Sequence, residues 1–383
     1  MKICTITCHD VYNSGASLQA YALMKYLQDK GNDVEIINYK PNYLSNHYKL
    51  NIVANPKYER NVVLKTLYLA LKLPGRVLAL KNKKKYDEFR EKYLKITEKK
   101  YTSNEELKNN PPYADVYICG SDHIWNSKFN NGKDPAFYLD FVPKNKIKAS
   151  YAASFATDSI DEKMRDIVRK RISRLDYVGV REISALNILE ELNIKQGVQV
   201  LDPVFLLDKY QWEKLTYEVS KNEKYIFVYD FDGNDLIKEI AIKIAKKKNL
   251  KIYTVFKCNY SDKVIKEMGP IDFISYIKNA EFVISNSFHG TAFSIIFEKQ
   301  FVVINRKESI NTRMRDLLSI LNISNRLINE NYNFNSIINP INYNEVYKRL
   351  TKKIDLSKNY LDNVLSSKSK MESINEKENI ICN

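Results

Sequence analysis

Glycine, cysteine and histidine are scarce in this chain of 383 residues, at ten, five and four copies. The loop after the first apolar run lacks the G-x-G-x-x-G of a dinucleotide-binding turn. The cysteines (Cys4, Cys8, Cys119, Cys258 and Cys382) form an odd, scattered set with no disulfide framework, as in a reducing compartment. Cys4 and Cys8 find no third cysteine to complete an iron–sulfur set, and His9, His47 and His123 share no metal-ligand spacing. No apolar run reaches the ~18 residues of a membrane span. Met1-Lys2 leads straight into Ile3 to Thr7, without a signal-peptide core or cleavage site. A cytoplasmic protein is expected. The absence of an RNP-type motif, zinc-finger spacing or helix-turn-helix signature argues against nucleic acid as a partner.

Basic residues are plentiful: 61 Lys and Arg against 46 Asp and Glu, a formal charge of +15. That balance favours anionic partners, although much of the lysine fits a solvated surface. A hydrophobic content of 44% is ample for packed cores, and the length predicts two domains. The rhythm of the sequence is α/β. Strands are expected at Ile3 to Thr7, Val34 to Tyr39, Val116 to Ile118, Lys148 to Ser154, Tyr177 to Val180 and Val198 to Leu201, with helices at Leu18 to Lys30, Asp161 to Leu175 and Ser184 to Leu192. Asp202-Pro203 then makes a rigid break suited to a domain crossing. The pattern resumes with strands at Tyr225 to Tyr229 and Leu250 to Phe256, and helices at Asp235 to Lys248, Ile271 to Lys278 and Asn311 to Leu321. A terminal helix is expected at Tyr343 to Leu365, with frayed residues after it. Two Rossmann-like domains facing a central cleft follow: residues 1–202, residues 203–330, and a C-terminal helix and tail over 331–383.

The most functional-looking stretch runs from Asn279 to Arg306. A short strand, Phe282 to Ile284, exits into Ser285-Asn286-Ser287; a buried helix is expected from Thr291 to Phe297 and a second strand from Phe301 to Ile304. His289 and Gly290 sit at the carboxyl end of the first strand, where open α/β sheets bind ligands and helix-start N–H groups favour an anion. A plain helix-capping role for His289 is the competing reading. In the first loop, Asn13 and Gly15 offer backbone N–H groups to a phosphate or simply form a tight strand-to-helix turn. Asp230-Phe231-Asp232-Gly233-Asn234-Asp235 looks like a calcium loop, but its glycine is displaced and the terminal Glu is missing, so a turn with a helix cap is expected.

Residues 42–110 interrupt this rhythm. Val62 to Leu80 is rich in Val, Leu and Ala and is bounded by Arg60, Lys65, Lys72, Arg76 and the run Lys81 to Lys85. Such a stretch fits an interfacial helix on an anionic membrane and equally a helical hairpin packed on its own domain.

Six elements in order carry a resemblance to a known family: Tyr12 to Ala22 (YNSGASLQAYA), Gly120 to Trp125 (GSDHIW), Tyr151 to Ser154 (YAAS), Val180-Arg181-Glu182, Leu201 to Val204 (LDPV) and Ser285 to Gly290 (SNSFHG). Over nearly its whole length the chain resembles the polysaccharide pyruvyl transferases. The resemblance implies two Rossmann-like domains like those of GT-B glycosyltransferases, and transfer of pyruvate from phosphoenolpyruvate to hydroxyls of a surface glycan or lipid-linked saccharide, usually as a cyclic ketal. It places the donor-binding aspartate on Asp122, an arginine on Arg181 and the active-site histidine on His289. Some members carry an arginine two residues before that histidine; Ser287 stands there in this chain, and Arg313 and Arg315 are candidate replacements.

Phosphoenolpyruvate bears a carboxylate and a phosphate, for which Arg181 provides a planar cationic donor; a structural ion pair is its alternative. Ketal formation requires a proton at C3, and His289 is a plausible acid or phosphate partner. Asp122 orients the donor, assists the histidine, accepts a hydroxyl proton, or merely closes its turn. The scheme requires no cofactor and no metal. A nucleotide-sugar glycosyltransferase and a non-catalytic glycan- or membrane-binding protein are the rival readings.

Overall fold

The computed structural model describes residues 1–44, 66, 80–308 and 310–381. Seven parallel strands form the first sheet: β1 Lys2–Ile6, β2 Asp33–Tyr39, β3 Ile96–Tyr101, β4 Val116–Cys119, β5 Ile147–Ala153, β6 Tyr177–Val180 and β7 Gly197–Gln199, in the order β3-β2-β1-β4-β5-β6-β7. Six more form the second: β8 Tyr225–Tyr229, β9 Lys251–Thr254, β10 Lys263–Val264, β11 Phe282–Ser285, β12 Gln300–Ile304 and β13 Leu327–Ile328, in the order β10-β9-β8-β11-β12-β13. Every pairing in both sheets is parallel, so each connection crosses back over a face. Central strands such as β4 (VYIC) and β8 (YIFVY) are buried along their whole length, as a sheet covered on both faces demands.

The main helices are α1 Ser14–Asp29, α2 80–93, α3 Arg165–Ile172, α4 Ile183–Glu191, α5 Asp235–Lys248, α6 Pro270–Asn279, α7 Phe288–Ile296, α8 Thr312–Ile320 and α9 Tyr343–Ile381. Two of them begin earlier than the sequence pattern suggests. Asn13 caps α1 by accepting the amide of Ala16 at 3.1 Å, and Ser287 caps α7 by accepting that of Gly290 at 3.3 Å. Gly15, His289 and Gly290 therefore lie in first helical turns, not in free loops. The expected stop of α1 holds: Gly31 follows it at φ +82°. The Asp230 loop is the anticipated turn, with Asp230 accepting the amides of Asp232 and Asn234 at 2.9 and 2.7 Å and Asn234 capping α5.

The interval 42–110 differs from expectation at its end. It contains β3, an edge strand (ITEKKY) whose three consecutive exposed charged residues hide a β signal inside a basic stretch. The apolar run from 62 to 79 lies, apart from residue 66, outside the described residues. The lysines that follow it stand on α2 opposite carboxylates: Lys85 meets Asp272 at 2.9 Å, Lys81 meets Glu267 and Lys84 meets Glu88 at 3.5 and 3.6 Å, and Lys83 pairs with Asp87. Asp272 and Glu267 belong to the second domain, so α2 straps the two domains together. Among the described residues no helix is long and apolar enough to cross a membrane.

Apolar packing also joins the domains. Tyr21 of α1 meets Trp212 at 5.8 Å between ring centroids, and Trp212 meets Phe293 of α7 edge-on at 4.9 Å. The C-terminal helix is longer than expected, running to Ile381, and it returns to the first sheet rather than trailing away. Tyr360 donates to the carbonyl of Ser150 in β5 at 2.8 Å, and Ser357 accepts the amide of Leu201 at 2.8 Å. Leu361, fully buried in this contact, should cost about 2–5 kcal/mol when cut to Ala. A lowered denaturant midpoint with an unchanged slope will show it; an unchanged midpoint would mean that α9 does not dock.

Candidate active site

Three chain segments converge where the sheets face each other. The first is the loop after β4. Asp122 adopts φ +67°, a left-handed conformation that aspartate tolerates, and its carbonyl accepts the amides of Ile124 and Ser154 at 2.8 and 3.1 Å. Its carboxylate Oδ1 lies 3.0 Å from Nη1 of Arg313 on α8, 3.2 Å from Nδ1 of His123 and 3.6 Å from Nη2 of Arg181.

The second segment is the turn from β11 into α7. His289 occupies the second position of the helix, and its ring packs against Gly15 of α1. A Cβ on Gly15 would sit 2.0 Å from Nδ1 of His289, so only glycine admits the imidazole there. The third is the crossing between domains. Asp202 has no exposed side chain and holds three groups on Oδ2: Arg181 Nη1 at 2.6 Å, Ser121 Oγ at 3.3 Å and His289 Nε2 at 3.7 Å.

A cavity of about 130 Å³ opens between these segments. Asn13, Asp122, Ser287, His289 and Arg313 line it, together with His123, Asn286, Phe288, Phe231 and Arg306. Arg313 thus brings a guanidinium to the cavity whose wall carries Ser287. Its Nε–H is buried with no hydrogen-bond partner among the described residues. The amides of Phe288 and His289, at the first two helical positions of α7, have no acceptor within the helix.

Two expected residues lie elsewhere. Arg181 does not line the cavity: it is buried behind the wall, its guanidinium 4.5 Å from the Phe288 ring centroid and bonded to Asp202, while its Nε and Nη2 find no hydrogen-bond partner among the described residues. Arg315 points out of the site, where, half-exposed, it pairs with Asp158 at 2.6 Å and Asp316 at 3.0 Å. Helical spacing decides between the two arginines: residues two apart on α8 face different sides. Gly15 and Gly290 support the site from behind; Gly290 packs against Ser285. Sequence reasoning overlooked Asp202, read as a rigid break although it lay in a quoted motif, and His123, set aside as a metal decoy. It also passed over Arg306, which stands at the exit of β12 as His289 stands beyond β11.

Charge sets the protonation of this cluster. Burial pushes the Asp122 carboxyl up, but His123, Arg313 and Arg181 outweigh it and hold the group well below the usual carboxylate range. Burial likewise works against Asp202, which contacts with His289 and Arg181 bring down to about 2. Glu182, fully buried and bonded to Ser154, goes the other way: burial raises it, and Arg181 and Arg313 only partly compensate.

The profile of the family described as polysaccharide pyruvyl transferase matches residues 13–308, which takes in all three converging segments. The chain belongs to that family. No curated protein matches it. Among solved structures, a UDP-N-acetylglucosamine 2-epimerase is similar at a TM-score of 0.54 and 10% identity, over 96% of this chain and 96% of that one. S. aureus MnaA in its UDP co-structure is similar at 0.50 and 11% identity, over 92% and 88%. At these identities the likeness shows the fold alone, two Rossmann-like domains in the GT-B arrangement.

Asp202 and Asp122 have folded values depressed below the unfolded ones. Their stabilising contribution is therefore complete above pH ~4 and lost as pH falls towards 2. Melting temperature should drop over that window, and Asp202→Asn should flatten the drop while lowering stability at neutral pH. A variant with the wild-type acid profile would remove Asp202 from this role.

Proposed function

We propose that this enzyme transfers pyruvate from phosphoenolpyruvate to two hydroxyls of a saccharide, on a glycan or its lipid-linked precursor, forming a cyclic ketal and releasing phosphate. The observation that carries the reading is a small cavity, about 130 Å³, that joins Arg313, Arg306 and the first amides of α7 to a histidine in contact with a buried carboxylate. Typical small-molecule pockets measure roughly 300–1,000 Å³, so this one suits a three-carbon anion better than a nucleotide sugar.

The donor's phosphate and carboxylate take the guanidinium of Arg313, that of Arg306 and the α7 amides. Asp202 lies 3.7 Å from His289 Nε2 and stands as the carboxylate behind the ring. His289 then donates its proton to C3, and positive charge develops at C2. The first acceptor hydroxyl adds to C2. His123 is the better base for its proton, because Asp122 is held too far below neutral pH to accept one. The second hydroxyl adds as the bond from C2 to the phosphate oxygen breaks, returning a proton to His289. His123 gives its proton to the departing phosphate. Both histidines are thereby restored, and the products are the ketal and inorganic phosphate.

His289→Gln keeps volume and a polar tip but cannot supply the proton, so kcat should fall by about 10²–10⁴-fold. A parallel loss of phosphoenolpyruvate affinity would assign His289 to phosphate holding instead. A folded variant with wild-type turnover, read by phosphate release, would end the mechanism. Thermal shift should separate the donors: phosphoenolpyruvate raises the melting temperature and UDP-N-acetylglucosamine does not. The reverse order would make the chain a nucleotide-sugar enzyme. His123→Gln should lower kcat while phosphoenolpyruvate affinity is kept; unchanged turnover would place the base elsewhere.

A further inference from the structure

The catalytic cavity has room for the donor but not for a sugar beside it. A second cavity, of about 430 Å³, opens at the carboxyl ends of β8 and β9 and shares Phe231 with the first. The two are tied together below that ring: Asp230, on the wall of the larger, accepts from Asn286, on the wall of the smaller, at 2.8 Å. Phe231 and Phe256 stand with centroids 6.0 Å apart and are 37% and 51% exposed; the Arg306 guanidinium lies 5.0 Å from the Phe231 centroid and Tyr229 meets that ring edge-on, so Phe256 is the freer of the two. Tyr260 adds a third ring, and Asp235, Lys238 and Asn259 supply an acceptor, a cation and an amide around them.

Flat aromatic faces with hydrogen-bonding side chains at their edges suit a pyranose. The weakly positive C–H face of the sugar packs on the negative face of a ring, while its hydroxyls meet the polar rim. We propose that this cavity binds a saccharide ring of the acceptor, holding it so that its neighbouring hydroxyls reach the donor past Phe231. The inference rests on the pyruvyl-transfer reading for its purpose, but its binding chemistry is independent of it. Phe231 divides the two compartments, so the larger cavity selects the sugar and the smaller one selects the donor.

Saturation-transfer NMR tests this with methyl β-D-galactoside, methyl N-acetyl-β-D-glucosaminide and methyl N-acetyl-β-D-mannosaminide as probes, and UDP as the competing class. At least one glycoside should receive saturation from the full-length protein. Phe256→Ala, at a half-exposed position that leaves the core intact, should weaken that binding about tenfold, the change that 1.4 kcal/mol brings. Lys238→Ala should weaken it in the same direction. Both variants should keep the wild-type thermal shift with phosphoenolpyruvate. Silence from all three glycosides, or binding indifferent to both substitutions, overturns the subsite. So does a UDP signal that Phe256→Ala abolishes, which would make the cavity a nucleotide pocket. Glycoside binding that depends on Phe256 in a protein that ignores phosphoenolpyruvate would uphold the subsite and sink the donor assignment alone.

Discussion

Arg181 and Asp202 have almost no exposed surface, and neither could be kept charged there without the other. Their pair sits where the chain passes from the first sheet to the second, so it fixes more than charge. Asp202 reaches Ser121 beside the Asp122 loop and His289 on α7, while Arg181 approaches Asp122 and lies against Phe288. The loop after β4, the interdomain crossing and the start of α7 are thus referenced to one carboxylate. Loss of that carboxylate would leave a buried guanidinium with only the more distant Asp122, at 3.6 Å, and an imidazole without its neighbouring anion. In the proposed mechanism, stability and chemistry are coupled at this point because the same oxygen serves both.

The alternation of elements was readable because parallel strands covered on both faces are nearly continuous apolar runs. β8 and β11 follow from YIFVY and FVIS alone. The strands that escaped notice are edges: β10 and β13 contribute two residues each, and β3 carries charge on its exposed positions. The site was partly legible for a similar reason. Asp122, Ser287 and His289 lie at strand exits, where topology alone brings residues to a cleft. Arg313 and Arg315 could not be separated, because both lie near the start of α8 and only its packing shows which side faces inward. Arg181 was legible as important but not in its task, since a strand exit does not reveal whether its side chain turns to the cavity or to a carboxylate behind it.

The lysine run at 81–85 has partners within the fold: each of Lys81, Lys83, Lys84 and Lys85 faces a carboxylate. Exposed pairs of this kind contribute little individually. Lys85 and Asp272 are the exception by position, since both are partly shielded and they tie α2 to α6 across the domains. That tie, with the contacts of α9 on β5, limits how far the cleft can open.

A GT-B cleft that holds a nucleotide sugar must accommodate a base, a diphosphate and a sugar on one side. Here the cavity at α7 is narrowed by the groups that define it: Phe288 stacked under two guanidiniums, the imidazole pressed on Gly15, and Arg313 reaching across from α8. Each adds specificity for a compact anion at the expense of volume. The space lost there reappears beyond Phe231, where the walls carry exposed rings and a balanced set of charges, Asp230 and Asp235 against Lys238 and Lys257. The proposed joining of a small, doubly anionic donor to a neutral sugar fits that division, because a net cationic pocket suits the anion and a wall of balanced charge suits an uncharged pyranose.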